Sequence, residues 1–170
     1  MQAAALREPL VLRDGAALRV RQIVPTDGAA LAAGLQRLSP RSRYLRFAGP
    51  KPRFTQRELD WLTTVDHHGH EALVAYEAES GAGVAVARWV VTEPGVAEIA
   101  LTVTDDWQRR GLGTLLSARL LELARREGVH EMRASVLAEN PGAIGLLKAA
   151  GFRRVGFSGA MHEYALVLHA

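Results

Sequence analysis

The stretch Val96-Ala97-Glu98-Ile99-Ala100-Leu101-Thr102-Val103-Thr104-Asp105-Asp106-Trp107-Gln108-Arg109-Arg110-Gly111-Leu112-Gly113-Thr114-Leu115-Leu116 runs from a strand pattern through a glycine-containing turn into a helix pattern, and the rest of the chain reads as its support. Over residues 96 to 103, Ala97, Ile99, Leu101 and Val103 alternate with Val96, Glu98, Ala100 and Thr102, the two-residue period of a strand. Glu98 is the lone carboxylate there, set among small neighbours. From Leu112 the period changes. Leu112, Leu116, Leu120 and Leu123 recur at three- and four-residue spacing, with Arg119, Glu122 and Arg126 on the opposite face, which predicts an amphipathic helix closed by Gly128.

Between strand and helix lies Gln108-Arg109-Arg110-Gly111-Leu112-Gly113-Thr114. Two glycines let a backbone approach a ligand closely, and the unpaired amides of a first helical turn, aided by the helix dipole, attract an anion. A phosphate or pyrophosphate suits such a turn. There is no Gly-x-x-x-x-Gly-Lys-Ser/Thr, and Gly111-x-Gly113 lacks the third glycine of the dinucleotide fingerprint, so nucleoside triphosphates and nicotinamide cofactors lose ground. Gly-x-Gly by itself is equally compatible with ordinary strand-to-helix turn chemistry.

The 170 residues are expected to form one domain with a substantial core, residues 1 to 16 being an N-terminal extension or short hairpin strand. Hydrophobic residues make up 48% and the mean hydropathy is near zero, as in a soluble globular chain. The apolar runs are too short to span a bilayer, and residues 1 to 13 lack the layout of a signal peptide; the expectation is a cytoplasmic protein with no membrane partner. Absence of cysteine excludes disulfides, thiolate zinc sites and an acyl-cysteine intermediate. The net charge of +3 comes almost wholly from arginines interleaved with acids, Lys51 and Lys148 being the only lysines. No dense basic block with aromatics appears, so no nucleic-acid partner is expected, whereas the excess suits an anionic cofactor.

Residues 10 to 24 predict two short strands about a turn at Arg13-Asp14-Gly15. Pro25-Thr26-Asp27 opens a helix, with Thr26 or Asp27 able to cap it, and Ser39-Pro40 opens another. Thr55-x-x-Glu58 is a capping box for a third, to about Thr63. Residues 71 to 79 and 84 to 92 read as a hairpin, joined through Ser80-Gly81-Ala82-Gly83. After Gly128 come a strand at about 130 to 137, a helix from Asn140-Pro141 to Gly151, and strands near 152 to 158 and 161 to 168. Strand, helix, strand in this order makes a parallel crossover within a mixed sheet.

Val103-x-x-x-Trp107-Gln108-Arg109-Arg110-Gly111-Leu112-Gly113-Thr114 resembles the Gln/Arg-x-x-Gly-x-Gly/Ala motif of the GNAT superfamily, acetyltransferases that use acetyl-coenzyme A (acetyl-CoA). Asn140-x-x-Ala143-Ile144-x-Leu146-Leu147-x-x-x-Gly151-Phe152 is similar to that family's next motif in order and spacing. The resemblance implies the GNAT fold, an α/β architecture whose mixed, mostly antiparallel sheet has helices on both faces. It further implies a pyrophosphate on the amides of Arg109 to Thr114 and a pantetheine arm paired with the strand backbone at Leu101, Thr102 and Val103; separately, the residues give no expectation of a metal. Gln108 and Asn140 would also touch the coenzyme, Asn140 serving equally as a helix cap. Leu12-Arg13-Asp14-Gly15, Pro25-Thr26-Asp27, Leu38-Ser39-Pro40-x-Ser42-Arg43-Tyr44-Leu45-Arg46-Phe47 and Asp66-x-x-x-His70-x-Ala72-Leu73-Val74-Ala75 resemble the catalytic domain of Pat-type bacterial protein lysine acetyltransferases. That implies a protein-lysine acceptor, plausibly on an acyl-CoA synthetase, and a monomer or homodimer.

A lysine amine, with a pKa near 10.4, is protonated at neutral pH and needs a base before it can attack a thioester. Glu98 is the candidate, directly or through a water, against the alternative of a strand carboxylate facing solvent. Where the family frequently has a tyrosine to protonate the leaving thiolate, this chain has Leu147, so no proton donor carries over. Leu147 favours a non-catalytic acyl-CoA-binding module and Glu98 opposes it; a small-amine N-acetyltransferase is the other alternative. His67, His68 and His70 read as a solvated loop, as metal ligands, or as a lining of the acceptor entrance; no cysteine or Asp/Glu set accompanies them at ligand spacing.

Overall fold

The computed structural model describes residues 7 to 169. Eight strands form one sheet in the order β1-β2-β3-β4-β5-β6-β8-β7. β1 (Arg7–Val11) and β2 (Ala17–Gln22) are short antiparallel strands that pair across the turn at Asp14-Gly15; residues 1 to 6 of the expected N-terminal extension or short hairpin strand lie outside the described residues. A single 3-10 turn at Pro25–Asp27 leads into α1 (Gly28–Arg37). Asp27 does not cap that helix. Its carboxylate instead accepts from the Val24 N–H (2.8 Å), from both Nη groups of Arg21 (2.8 and 2.7 Å) and from the Tyr76 hydroxyl (2.6 Å), because Arg21 and Tyr76 project beside it from adjacent strands.

α2 (Pro40–Phe47) starts as expected, with Ser39 Oγ accepting from the Ser42 N–H, and the Thr55/Glu58 capping box opens α3 (Gln56–Thr63). β3 (His70–Glu77) and β4 (Gly83–Glu93) are the expected hairpin. β5 (Val96–Val103) covers the span its alternation predicts, and α4 (Leu112–Arg126) begins at Leu112. Leu112, Leu116, Leu120, Leu121 and Ala124 form the buried stripe of α4; Leu123 is only partly buried. β6 (Glu131–Leu137), α5 (Pro141–Ala149), β7 (Arg153–Ser158) and β8 (Met161–Val167) complete the chain.

Both faces of the sheet are covered, as the alternation in β3 makes visible. Leu73 and Ala75 pack into the core built around α4, with Trp89, Met132 and Phe152, while Ala72 and Val74 pack on the other face with Leu31 of α1 and Val65. All neighbouring strands are antiparallel except β5 and β6, which are parallel over Val96, Ala97 and Glu98 alone. Beyond Glu98, β5 stays with β4 as far as Val103↔Ala85, while β6 stays with β8 as far as Leu137↔Met161. The two central strands therefore part in a wedge, and Glu98 stands at its apex.

Candidate active site

Thr104 donates its N–H to Val84 of β4, and strand backbone groups alternate sides, so the N–H and C=O of Ile99, Leu101 and Val103 point the other way, into the wedge. With β6 gone, this edge lacks its ladder. The Val103 carbonyl alone meets a side chain, accepting from Gln108 Nε2 at 3.0 Å; the same amide reaches Ser42 Oγ at 3.3 Å. Gln108 thus ties the end of β5 to α2.

The turn ahead of α4 has the shape its glycines imply, for two different reasons. Gly111 sits at φ +87° with nothing near where a Cβ would stand, so only its backbone conformation requires glycine there. Gly113 is ordinary in φ, but its Cβ would lie 3.2 Å from Leu101 Cδ2 and 3.4 Å from Leu146 Cδ2, so a side chain there must push these two ends aside where α4 meets β5 and α5. Arg109 is also left-handed, at φ +58°, which is uncommon for a residue with a side chain and stores strain in the turn. The first backbone bond into this segment is Leu115 N–H to Gly111 O; among the described residues none of the N–H groups of Arg109 to Thr114 has a partner. Six consecutive unpaired amides at a helix start are an arrangement, a cradle, that attracts anions.

A cleft of about 550 Å³ joins cradle and wedge. Of the residues singled out in the sequence, Glu98, Leu101, Thr102, Val103, Gln108, Arg109, Gly111, Gly113, Thr114 and Asn140 line it. Arg110 and Leu112 contribute no side chain. Arg110 turns to Asp14 (Nε to Oδ2, 2.6 Å) and covers the Trp107 ring at 4.1 Å, while Leu112, the first residue of α4, buries its side chain in the core. Asn140 caps α5 through Oδ1, accepting from the Ala143 N–H at 3.1 Å, which leaves its amide nitrogen for a ligand. Leu147 is buried and apolar, so the wall at that position offers no proton.

Glu98 is exposed to the cleft and forms no hydrogen bond or close ion pair among the described residues. Its side chain lies on the α1–α3 face, with those of Ala100 and Thr102. Over that face α2 sets Ser42, Leu45 and Arg46, which composition and spacing did not single out; they lie in the Pat-like stretch of residues 38 to 47, and the packing of α2 brings them to the cleft.

The three histidines go separate ways, and none lines the cleft. His67 Nδ1 meets buried Glu71 (2.9 Å), His68 Nδ1 meets Glu127 (2.8 Å), and no group of three His, Cys, Asp or Glu side chains assembles as metal ligands among the described residues. His70 packs on Trp61 and its Nε2 accepts from Arg88 Nη1 at 2.9 Å, so its proton resides on Nδ1. Burial, then the charge of Arg88, pushes this imidazole down to about 4. The unfolded chain titrates near 6.5 and binds the extra proton first, so His70 should cost stability as pH falls from about 6.5 towards 4. His68 runs the opposite way, held up by Glu127, but its exposure makes that effect small. A His70→Gln variant, whose amide oxygen still accepts from Arg88, should therefore show a flatter melting temperature between pH 6.5 and 4.5. An unchanged slope would place the acid sensitivity elsewhere.

The description of the family model matching residues 36–152 is acetyltransferase (GNAT) family, and the chain belongs to that family. It is similar to Acetyltransferase Pat of Mycolicibacterium smegmatis, 34% identical over 135 residues that make up 78% of this chain and 40% of that one. It is also similar to an L-methionine sulfoximine/L-methionine sulfone acetyltransferase of Pseudomonas aeruginosa, 34% identical over 101 residues, 56% of this chain and 58% of that one. The chain thus spans less than two thirds of both relatives. The GNAT domain of S. lividans PAT superposes with a TM-score of 0.90 at 28% identity, covering 96% of this chain and 97% of that one. The protein is an acetyl-CoA-dependent acetyltransferase with the GNAT fold. No helix among the described residues is long and apolar enough to cross a membrane.

Proposed function

We propose that this GNAT acetyltransferase moves the acetyl group of acetyl-CoA directly to a primary amine held in the same cleft, with Glu98 as general base and a protein lysine as acceptor. The observation that carries it is an unpartnered carboxylate at the apex of the wedge, with an anion cradle and an open strand edge leading up to it. The diphosphate of the coenzyme suits the amides of Arg109 to Thr114, and an amide-bearing arm suits the groups of Ile99, Leu101 and Val103, whose ladder partner is missing. Gln108 and Asn140 flank that path.

Glu98 takes one proton from the bound ammonium, directly or through a water. The freed amine attacks the thioester carbon, and the tetrahedral adduct loses the thiolate as the carbon–sulfur bond breaks. The nitrogen's second proton ends on sulfur. A thiol of pKa near 8.5, by analogy with cysteine, is a tolerable leaving group, so Leu147 does not block the reaction. With no cysteine in the chain, amine and thioester must meet while both are bound.

The protein-lysine acceptor is supported by likeness to the two Pat proteins and by the resemblance of residues 38 to 47 and 66 to 75 to Pat-type enzymes. A small-amine acceptor is favoured by a different observation, two cationic side chains on the acceptor side of Glu98, and by the relative that acts on methionine derivatives. Thiol release measured with a panel of proteins and a panel of small amines, together with mapping of acetylated lysines by mass spectrometry, separates the two. Acetylated protein with little small-amine turnover is the expected result. Fast small-amine turnover with no protein modified would reverse it.

A further inference from the structure

Arg21, Arg37, Arg41, Arg110 and Arg133 each meet a carboxylate within 2.6 to 3.0 Å. Arg46 and Arg88, on the sheet face that carries Glu98, meet none among the described residues. Arg88 is 6% exposed and stands across from Ala100 in the β4–β5 register, one diagonal from Glu98. Its Nη1 donates to the Leu62 carbonyl at the end of α3 (3.1 Å) and to His70. Arg46 donates through Nε to Thr102 Oγ1 (3.0 Å) and lies over the Phe47 ring at 5.0 Å. The remaining N–H groups of both guanidiniums have no partner among the described residues.

Buried charge without a paired counter-ion is expensive, and two like charges compound the cost; the Glu98 carboxylate acts on Arg46 only from beyond ion-pair distance. Burial lowers both arginines: Arg88 falls to about 10 with help from the charge of Arg46, while on Arg46 the charge of Glu98 acts against the effect of burial. The two guanidiniums border a small pocket of about 80 Å³, closed by Phe47, Phe54 and Leu62. Arg46 and Thr102 line both this pocket and the cleft, so the pocket adjoins the cleft that Glu98 also lines. Planar guanidiniums with free N–H groups match a carboxylate, and a space this size takes a carboxylate with a short apolar stem.

We infer that Arg46 and Arg88 form a carboxylate subsite for the acceptor, so that amines carrying a carboxylate a few bonds from the nitrogen are the preferred substrates. The inference rests on the cleft beside Glu98 being where the amine binds. The carboxylate has two sources, the α-carboxylate of a free amino acid or an acidic side chain beside a lysine in a polypeptide.

Thiol release at saturating acetyl-CoA is compared between amino acids and the amines obtained by removing their carboxylate, and between lysine peptides with glutamate or glutamine beside the lysine. One arm should show at least a tenfold higher kcat/KM for the carboxylate form, roughly the worth of one charge-assisted hydrogen bond, and that arm identifies the source. Arg46→Gln should erase the preference by raising the acceptor KM, with the KM for acetyl-CoA unchanged, and Arg46→Lys should restore part of it. Calorimetry of N-acetyl amino acids or acetylated acidic peptides on the CoA-loaded protein reads the same subsite without turnover, and binding should vanish in Arg46→Gln. Equal kcat/KM within both pairs, or a preference surviving in Arg46→Gln combined with Arg88→Lys, overturns the subsite. Carboxylate binding that persists while Glu98→Gln keeps full activity leaves the subsite standing and removes only the assignment of the base.

Discussion

Glu98→Gln should lower the maximal rate by about a hundred- to ten-thousand-fold, the usual contribution of a positioned base, and leave acetyl-CoA affinity unchanged. The substitution keeps the size of the side chain and its place on β5, where Glu98 pairs with Val90 and Arg133 through backbone alone. Glu98 holds no other residue by a hydrogen bond among the described ones, so loss of the carboxylate removes proton acceptance with little structural cost. In the wild type the rate should rise with pH as base or bound amine loses its proton. Steady-state kinetics at saturating concentrations of both substrates, with acetyl-CoA binding followed by calorimetry, read the two effects separately. A variant that keeps most of its activity at neutral pH would make Glu98 an ordinary strand residue facing the cleft.

Gly111→Val should weaken acetyl-CoA by about ten- to a hundredfold, since a β-branched residue forced to φ +87° costs on the order of 1–3 kcal/mol or relaxes and takes the cradle amides with it. Space is not the issue at this position, where a Cβ meets nothing. Gly113→Val fails through contact instead. Its Cβ would press on Leu101 and Leu146, whose side-chain ends can shift, but both line the cleft, so a shift should narrow the path proposed for the coenzyme. The two variants therefore share a binding defect and differ in cause. Calorimetric titration with acetyl-CoA, alongside thermal melts to confirm folding, checks both. Full affinity in Gly111→Val with the fold intact would mean that the turn does not hold the pyrophosphate.

The second motif shows how a single residue can be half legible. Asn140 before Pro141 announces a helix start from local chemistry, and the structure places its Oδ1 on the Ala143 N–H. That the same side chain lines the cleft depends on α5 docking beside β5 and α4, which no spacing within residues 140 to 152 expresses. Asp27 went the other way: its position ahead of an alanine-rich helix suggests a cap, yet Arg21 and Tyr76, six and forty-nine residues away, claim the carboxylate. Three neighbouring histidines suggest a cluster, but in the folded chain they diverge to Glu71, Glu127 and Arg88.

By itself the sequence determined β5, the turn and α4, because periodicity, the two glycines and the change of period at Leu112 are all local signals acting over a few residues. It also determined the capped starts of α2, α3 and α5 and the β3–β4 hairpin, for the same reason. Only the tertiary structure decided where β5 and β6 part, that Arg110 leaves the turn for Asp14 while Arg109 remains, and that Arg46 of α2 comes to stand beside Arg88 of β4 next to Glu98. Those outcomes rest on contacts between segments far apart in the chain, where burial and charge are set by whichever side chains the packing of helices on the sheet brings together.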